Sequence, residues 1–265
     1  MSGVWIHKVA RCGSPLEAIN NAAAMNADRV IVKARDGCKE YNKEHLAELA
    51  DRAAAAELPL WIWSWNYSTD SNGDTGYCTT QGELLAADAE RLGAAGVVLN
   101  LEAPFSSSKF HRWGSIHEAA YGNKEARAKA IRENARALIL AVRENTCEHI
   151  RLGISTFPVP SQHALPSDLF ATAADVIMPQ VYFKGIGYSP KIKKSILQWT
   201  KLGAAELRFS GPGWRGSAKM KSMAGSLRTH QPTTAPIDWW VLDRMSESEI
   251  ECARNLANQE RNLCC

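Results

Sequence analysis

Gly93-Ala94-Ala95-Gly96-Val97-Val98-Leu99-Asn100-Leu101-Glu102 is the stretch that decides the fold. A short link of small residues leaves a helical pattern, a β-branched apolar run follows, and a long polar segment begins at Ala103. Working outward in both directions, similar runs recur at Val4–Val9, Arg29–Ala34, Leu60–Trp65, Ile150–Thr156, Val176–Tyr182, Glu206–Ser210 and Trp239–Asp243, so that with Gly96–Leu101 there are eight. Strands alternating with helical patterns signal parallel βαβ units. Eight units in 265 residues match one α/β domain of the (β/α)8 class, a TIM barrel, which takes about 250 residues. The expected organisation is therefore a single domain over residues 1–265.

Helix starts are written into the chain. Ser14-Pro15-Leu16-Glu17, Thr80-Gln81-Gly82-Glu83 and Ser246-Glu247-Ser248-Glu249 each place a hydroxyl at an expected N-cap and a Glu three residues on. From Lys124 to Asn145 the residues Ala128, Ile131, Ala135, Leu138 and Val142 recur at spacings of three and four, giving one apolar helix face. Links from helix to strand are short, as in Asn26-Ala27-Asp28 and Leu58-Pro59. Links from strand to helix are long and rich in Gly, Ser, Trp and Tyr, as in Asn66–Thr79, Ala103–Asn123, Phe183–Ser189 and Gly211–Ser217. Elaborated loops at strand C-termini are where barrels of this class build their sites.

A formal net charge of +3 is too small for a nucleic-acid footprint. No stretch approaches the roughly 18 apolar residues of a membrane span, and Met1–Lys8 lacks a basic, then apolar leader. The expectation is a protein made in the cytoplasm that binds neither nucleic acid nor membrane. The seven cysteines show no CxxC spacing and read as reduced thiols; Cys264 and Cys265 read as an exposed tail.

In the fourth candidate strand Val98, Asn100 and Glu102 share one face by the period of two, which puts two polar groups at the strand's end. A carboxylate in such an apolar setting must be paired, protonated or solvated in a cleft. A cleft carboxyl is a candidate general acid, and a rim ion pair with a Lys or Arg is the alternative. In the sixth strand Met178, Gln180 and Tyr182 share a face, adding directional hydrogen-bonding groups. Trp63, Trp65, Trp214 and Trp239 stand near other strand ends, with Trp61 and Trp240 beside them, where flat rings suit either a sugar face or the core. Asp36 and Asp243, ending the second and eighth strands, are candidate partner carboxylates or helix caps.

Other chemistries have weaker support. An inward Lys33, near His7 and Lys8, suits an acidic substrate, a Schiff base or a neutralised carboxylate, but Gly211-Pro212-Gly213-Trp214 is too short and stiff for a phosphate loop. Asp70 and Asp74 resemble fragments of a calcium loop without its terminal Glu and read as turn residues. No metal site and no cofactor is expected.

Val97-Val98-Leu99-Asn100-Leu101-Glu102-Ala103, Leu152-Gly153-Ile154-Ser155-Thr156-Phe157 and Met178-Pro179-Gln180-Val181-Tyr182 resemble segments of glycoside-hydrolase-like barrel proteins of phages and prophages. Relatives carry Asp-x-Glu in the fourth strand; here Asn100 replaces the Asp. That departs from the paired carboxylates of lysozyme-like family 25. Asn-x-Glu is similar to family 85 endo-β-N-acetylglucosaminidases, and family 18 chitinases pair Asp-x-Glu with a sixth-strand Tyr. In both families the substrate's 2-acetamido oxygen is the nucleophile, a recognised exception to the two-carboxylate rule. The resemblance implies Glu102 as acid on the glycosidic oxygen, Asn100 orienting the acetamido group, Tyr182 bonding its carbonyl, and Gln180 with the tryptophans holding the sugar. The implied partner is a polysaccharide, chitin-like or peptidoglycan, cut by an endolysin-like enzyme. The alternatives are a silent carbohydrate-binding barrel and a virion-associated adhesion module.

Overall fold

The apolar runs become strands because each can be buried on both faces, one toward a barrel axis and one toward helices. A computed structural model of the chain describes residues 2–68, 76–102, 124–163, 165–182, 188–230 and 236–263. Asp70, Asp74, Ala103, Cys264 and Cys265 lie outside them. The strands are β1 (Ser2–Ile6), β2 (Ala27–Asp36), β3 (Lys39–Glu40), β4 (Leu60–Trp65), β5 (Gly96–Asn100), β6 (Arg151–Thr156), β7 (Val176–Pro179), β8 (Phe209–Pro212) and β9 (Ile237–Trp240). The helices are α1 (Pro15–Ala24), α2 (Lys43–Ala55), α3 (Tyr77–Arg91), α4 (Lys124–Glu144), α5 (Ser167–Ala173), α6 (Tyr188–Lys201), α7 (Ser217–His230) and α8 (Glu247–Leu263).

Strand order is β7-β6-β5-β4-β2-β1-β9-β8, with every pair in that path parallel. Isolated parallel bridges Ile177–Leu207 and Gln180–Ser210 join β7 to the β8 side. Eight parallel strands thus form a nearly closed (β/α)8 barrel; β3 only folds back on β2 as a short antiparallel pair. Along the C-terminal rim the register aligns Asp36, Trp65, Asn100 and Ser155 in one row.

Leu60–Trp65 falls where the sequence puts it, and several other boundaries move for local reasons. β1 stops at Ile6 rather than Val9, because side chains intercept the backbone groups beyond it. Asp243 accepts the His7 N–H at 3.0 Å, and Asn42 both donates to the His7 carbonyl at 3.0 Å and accepts the Val9 N–H at 3.1 Å. Ser14 and Glu17 form the expected cap, and the Glu249 carboxylate accepts the Ser246 N–H at 2.8 Å. Thr80, by contrast, caps nothing. α3 already begins at Tyr77, since buried Gln81 bonds the backbone of Tyr67 at 2.8 and 3.0 Å and ties the first turn to the barrel.

Alternation divides the core in two. Val97, Leu99, Ile62 and Val32 face the helices, while Trp5, Ile31, Trp61, Trp63, Val98 and Met178 fill the barrel. Bulky indoles on β4 need bare backbone opposite them. A Cβ added at Gly96 would stand 2.5 Å from the Trp61 ring, so Gly96→Ala is expected to lower stability by about 1–3 kcal/mol through overpacking. Urea unfolding measures it, and a midpoint equal to the parent's would show that Trp61 yields freely.

The lower end of the barrel is closed by charge. Arg208 reaches the fully buried Asp238 at 2.9 Å and Asp28 at 3.2 Å, and Asp238 also accepts the Gly3 N–H at 2.8 Å. Among the described residues no helix is long and apolar enough to cross a membrane.

Candidate active site

Asn100 ends β5 facing inward, and Glu102 follows two residues later on the same side. Gln180 and Tyr182 leave β7 in the same sense, and Ser155 of β6 stands between the two pairs. These five groups meet Trp5, Trp65 and Trp240 around a cavity of about 210 Å³ at the C-terminal mouth of the barrel.

Gln180 organises the polar side. Its amide nitrogen donates to Asn100 Oδ1 at 2.7 Å and Glu102 Oε1 at 2.6 Å, with Ser155 Oγ at 3.0 Å. An amide nitrogen carries two hydrogens, so the three oxygens share them. Oδ1 of Asn100 keeps a second lone pair beside the bond from Gln180, so the amide can offer a ligand an acceptor as well as its Nδ2 donor. Among the described residues Glu102 has no Lys or Arg partner within ion-pair distance. The rim ion pair that the sequence left open is not formed there. Burial, then the charge of Glu102, pushes the Tyr182 phenol well above its ordinary value, so it remains an O–H donor.

The floor is aromatic. Trp240 packs edge-on against Trp5 at 5.5 Å and Trp63 at 5.4 Å, with Tyr182 at 6.1 Å. Trp63 lies beneath the cavity rather than on it, its indole N–H bonded to the Ile6 carbonyl at 3.2 Å. Trp214 packs on the same inner cluster from the rim, with the Arg215 guanidinium 4.5 Å from its ring. Trp239 is buried in the outer shell among the helices; its neighbour Trp240 takes the cavity position that the sequence reading assigned to Trp239.

Of the two spare carboxylates, Asp243 serves the His7 backbone, and neither lines the cavity. Asp36 accepts from Lys33 Nζ at 2.6 Å and from the Tyr67 hydroxyl at 2.6 Å. Lys33 therefore neutralises a carboxylate, one of its expected roles. Its side chain is only 2% exposed, boxed by Tyr41, Trp63 and Trp65 at 4.2, 5.2 and 5.5 Å, and closed to any substrate. Burial, helped by Lys33, lowers His7 to a pKa of about 4, so its ring is neutral at pH 7. Among the described residues no group of three or more His, Cys, Asp or Glu could hold a metal ion.

Sequence reasoning missed Trp5 and Ser155 as cavity residues, and it named Trp240 among the strand-end aromatics without choosing it over Trp239. Ser155 carried a trace, lying inside a segment singled out for resemblance.

This arrangement can be set beside known proteins. No protein-family model matches the chain, and no curated protein matches it in sequence. Solved structures that it resembles include glycosidases. A chitinase from Bacteroides thetaiotaomicron superposes with TM-score 0.67 at 10% identity, over 98% of this chain and 96% of that one. An endo-β-N-acetylglucosaminidase from Cordyceps militaris gives 0.60 at 10% identity, over 98% and 90%. The chitinase domain of the spore coat protein CotE from Clostridium difficile gives 0.55 at 13% identity, covering 80% of this chain, which spans 65% of that one. At such identities the likeness establishes the shared barrel.

Proposed function

We propose that the chain, acting as one domain, is a glycosidase that hydrolyses a β-linked N-acetylhexosamine polymer of chitin-like or peptidoglycan type. The observation that carries this reading is the Gln180 amide joining Asn100 and Glu102 at the edge of one aromatic-floored cavity. The chitinase and endo-β-N-acetylglucosaminidase neighbours support it, and the phage-type reading stands on sequence resemblance. Glu102 gives its proton to the glycosidic oxygen as the C1–O bond breaks and the substrate's acetamido oxygen closes on C1. Water then opens that ring, losing its proton to the Glu102 carboxylate. Asn100 orients the acetamido group, its Oδ1 keeping a lone pair for the acetamido N–H, and the Tyr182 hydroxyl bonds the acetamido carbonyl, so the oxygen is held facing C1. Trp240 and Trp5 underlie the sugar ring.

Asn100 also favours a second reading, a carbohydrate-binding barrel whose other carboxylate has been lost. A chromogenic N-acetylglucosamine oligomer, compared with the matching glucoside, separates the two. Substrate assistance predicts cleavage of the N-acetyl substrate alone, loss of most activity in Asn100→Ala, and retention of an appreciable part in Asn100→Asp. Equal cleavage of the plain glucoside, or a wild-type rate in Asn100→Ala, overturns the mechanism. Activity that appears only in Asn100→Asp establishes the binding module instead.

A further inference from the structure

Asp36 and its supports are not used by that mechanism, and they are too well built for an idle rim. The cavity, at about 210 Å³, falls below the usual 300–1,000 Å³ of small-molecule sites. It has room for about one sugar ring, so any further residue of a polymer must lie across the rim. The register of the strand ends limits where. Asp36, Trp65 and Asn100 stand in one row on neighbouring strands, so Trp65 both lines the cavity and separates it from the Asp36 carboxylate. Adjacent strands lie about 4.8 Å apart, which puts the Asp36 backbone about 10 Å from that of Asn100, with the Trp65 strand between them.

The carboxylate itself is fixed from behind. Oδ2 takes the Lys33 ammonium and Oδ1 the Tyr67 hydroxyl, each at 2.6 Å, yet the side chain remains 31% exposed. Each oxygen keeps a lone pair for an outside donor. Burial alone would raise this carboxyl, but the bonds from Lys33 and Tyr67 outweigh it and hold it below its ordinary value. A carboxylate oriented by buried Lys33 and half-buried Tyr67, beside a tryptophan shared with the cavity, is a receptor for neutral hydroxyl donors and offers an anionic substituent no donor.

We infer that Asp36 and Trp65 form a second sugar position next to the cavity, in which the carboxylate accepts hydroxyl hydrogens from the adjoining residue of a neutral, unsubstituted glycan chain. The inference rests on the glycosidase reading and narrows its substrate to the chitin-like class. Lys33 and Tyr67 act as positioning residues there.

The test is calorimetric binding of N-acetylglucosamine oligomers of increasing length to the full chain carrying Glu102→Gln, which prevents turnover. Affinity is expected to rise in a step once the oligomer reaches the rim. Adding Asp36→Asn should remove about a tenfold step, since a hydrogen bond to a charged group contributes about 1.5 kcal/mol or more, while binding of the shortest oligomer is unchanged. Should Asp36→Asn fail to fold with Lys33 left unpaired, Tyr67→Phe keeps the ion pair and should still weaken the long oligomers selectively. Length series that stay parallel in a folded Asp36→Asn protein, or in Tyr67→Phe where Asp36→Asn does not fold, overturn the second position and leave the cavity reading intact. No binding at any length overturns both.

Discussion

Replacing Glu102 by Gln is expected to lower turnover of an N-acetylglucosamine oligomer by about 10² or more, with affinity and fold preserved, because general acid catalysis contributes about 10²–10⁴. The substitution suits the site. Glutamine keeps an oxygen at the position that accepts from Gln180 Nε2 at 2.6 Å, so the bridge to Asn100 is retained. It removes only the proton that the leaving oxygen needs. Glu102 has no cationic partner among the described residues, so its neutralisation leaves no orphaned Lys or Arg to destabilise the barrel. Steady-state kcat and KM, with a thermal melt of each protein, check the prediction. Turnover equal to the parent's removes Glu102 from the mechanism, and a lost melt marks it as a structural residue.

What could be read in advance follows from how local each signal is. The period of two within β5 and β7 depends on consecutive residues, and it brought Asn100, Glu102, Gln180 and Tyr182 to one mouth from the sequence alone. The same period applied to Trp239-Trp240 gives opposite answers according to where the strand begins, and two adjacent indoles offer no apolar-polar contrast to choose between them. The strand begins at Ile237, so Trp239 turns outward and Trp240 inward. Ser155 has no meaning as a site residue until Asn100 is known to stand opposite it on the neighbouring strand. Thr80 resembled a cap because its spacing to Glu83 is right, but buried Gln81 tied the helix start to Tyr67, a non-adjacent partner.

The start of β8 was misplaced for a related reason. Glu206-Leu207-Arg208-Phe209-Ser210 alternates convincingly, yet regular pairing with β9 begins only at Phe209. Arg208 looks like an exposed residue until Asp28 and Asp238, 180 and 30 residues distant, are brought against it. Long-range ion pairs of this kind leave no periodic trace.

That cluster carries the largest stability effect expected in the chain. Asp238 is fully buried, Arg208 is 4% exposed, and breaking a buried pair by removing one partner costs about 3–5 kcal/mol because a charge is left uncompensated. Asp238→Ala does this and also strands the Gly3 N–H, while Asp28 at 3.2 Å relieves only part of the Arg208 charge. A loss of about 3–5 kcal/mol is a large share of the 5–15 kcal/mol that keeps a domain folded. Asp238→Asn retains an acceptor for Gly3 and should lose less. The pH dependence gives a second readout with a definite sign. Burial would raise the Asp238 carboxyl, but the charge and hydrogen bonds of Arg208 prevail and hold it below its ordinary value. Its folded pKa is thus depressed relative to an unfolded value of about 3.9. The stabilisation is fully present above that unfolded value and disappears as pH falls through the folded one. Urea unfolding of the parent should weaken across that acid window, and the slope should flatten in Asp238→Asn, which has no proton to take up. An Asp238→Ala midpoint within about 1 kcal/mol of the parent, or an acid limb unchanged in Asp238→Asn, would mean that Arg208 is held by Asp28 and by Glu206, whose carboxylate lies 3.9 Å from its guanidinium, and that Asp238 is a passive acceptor for the Gly3 N–H.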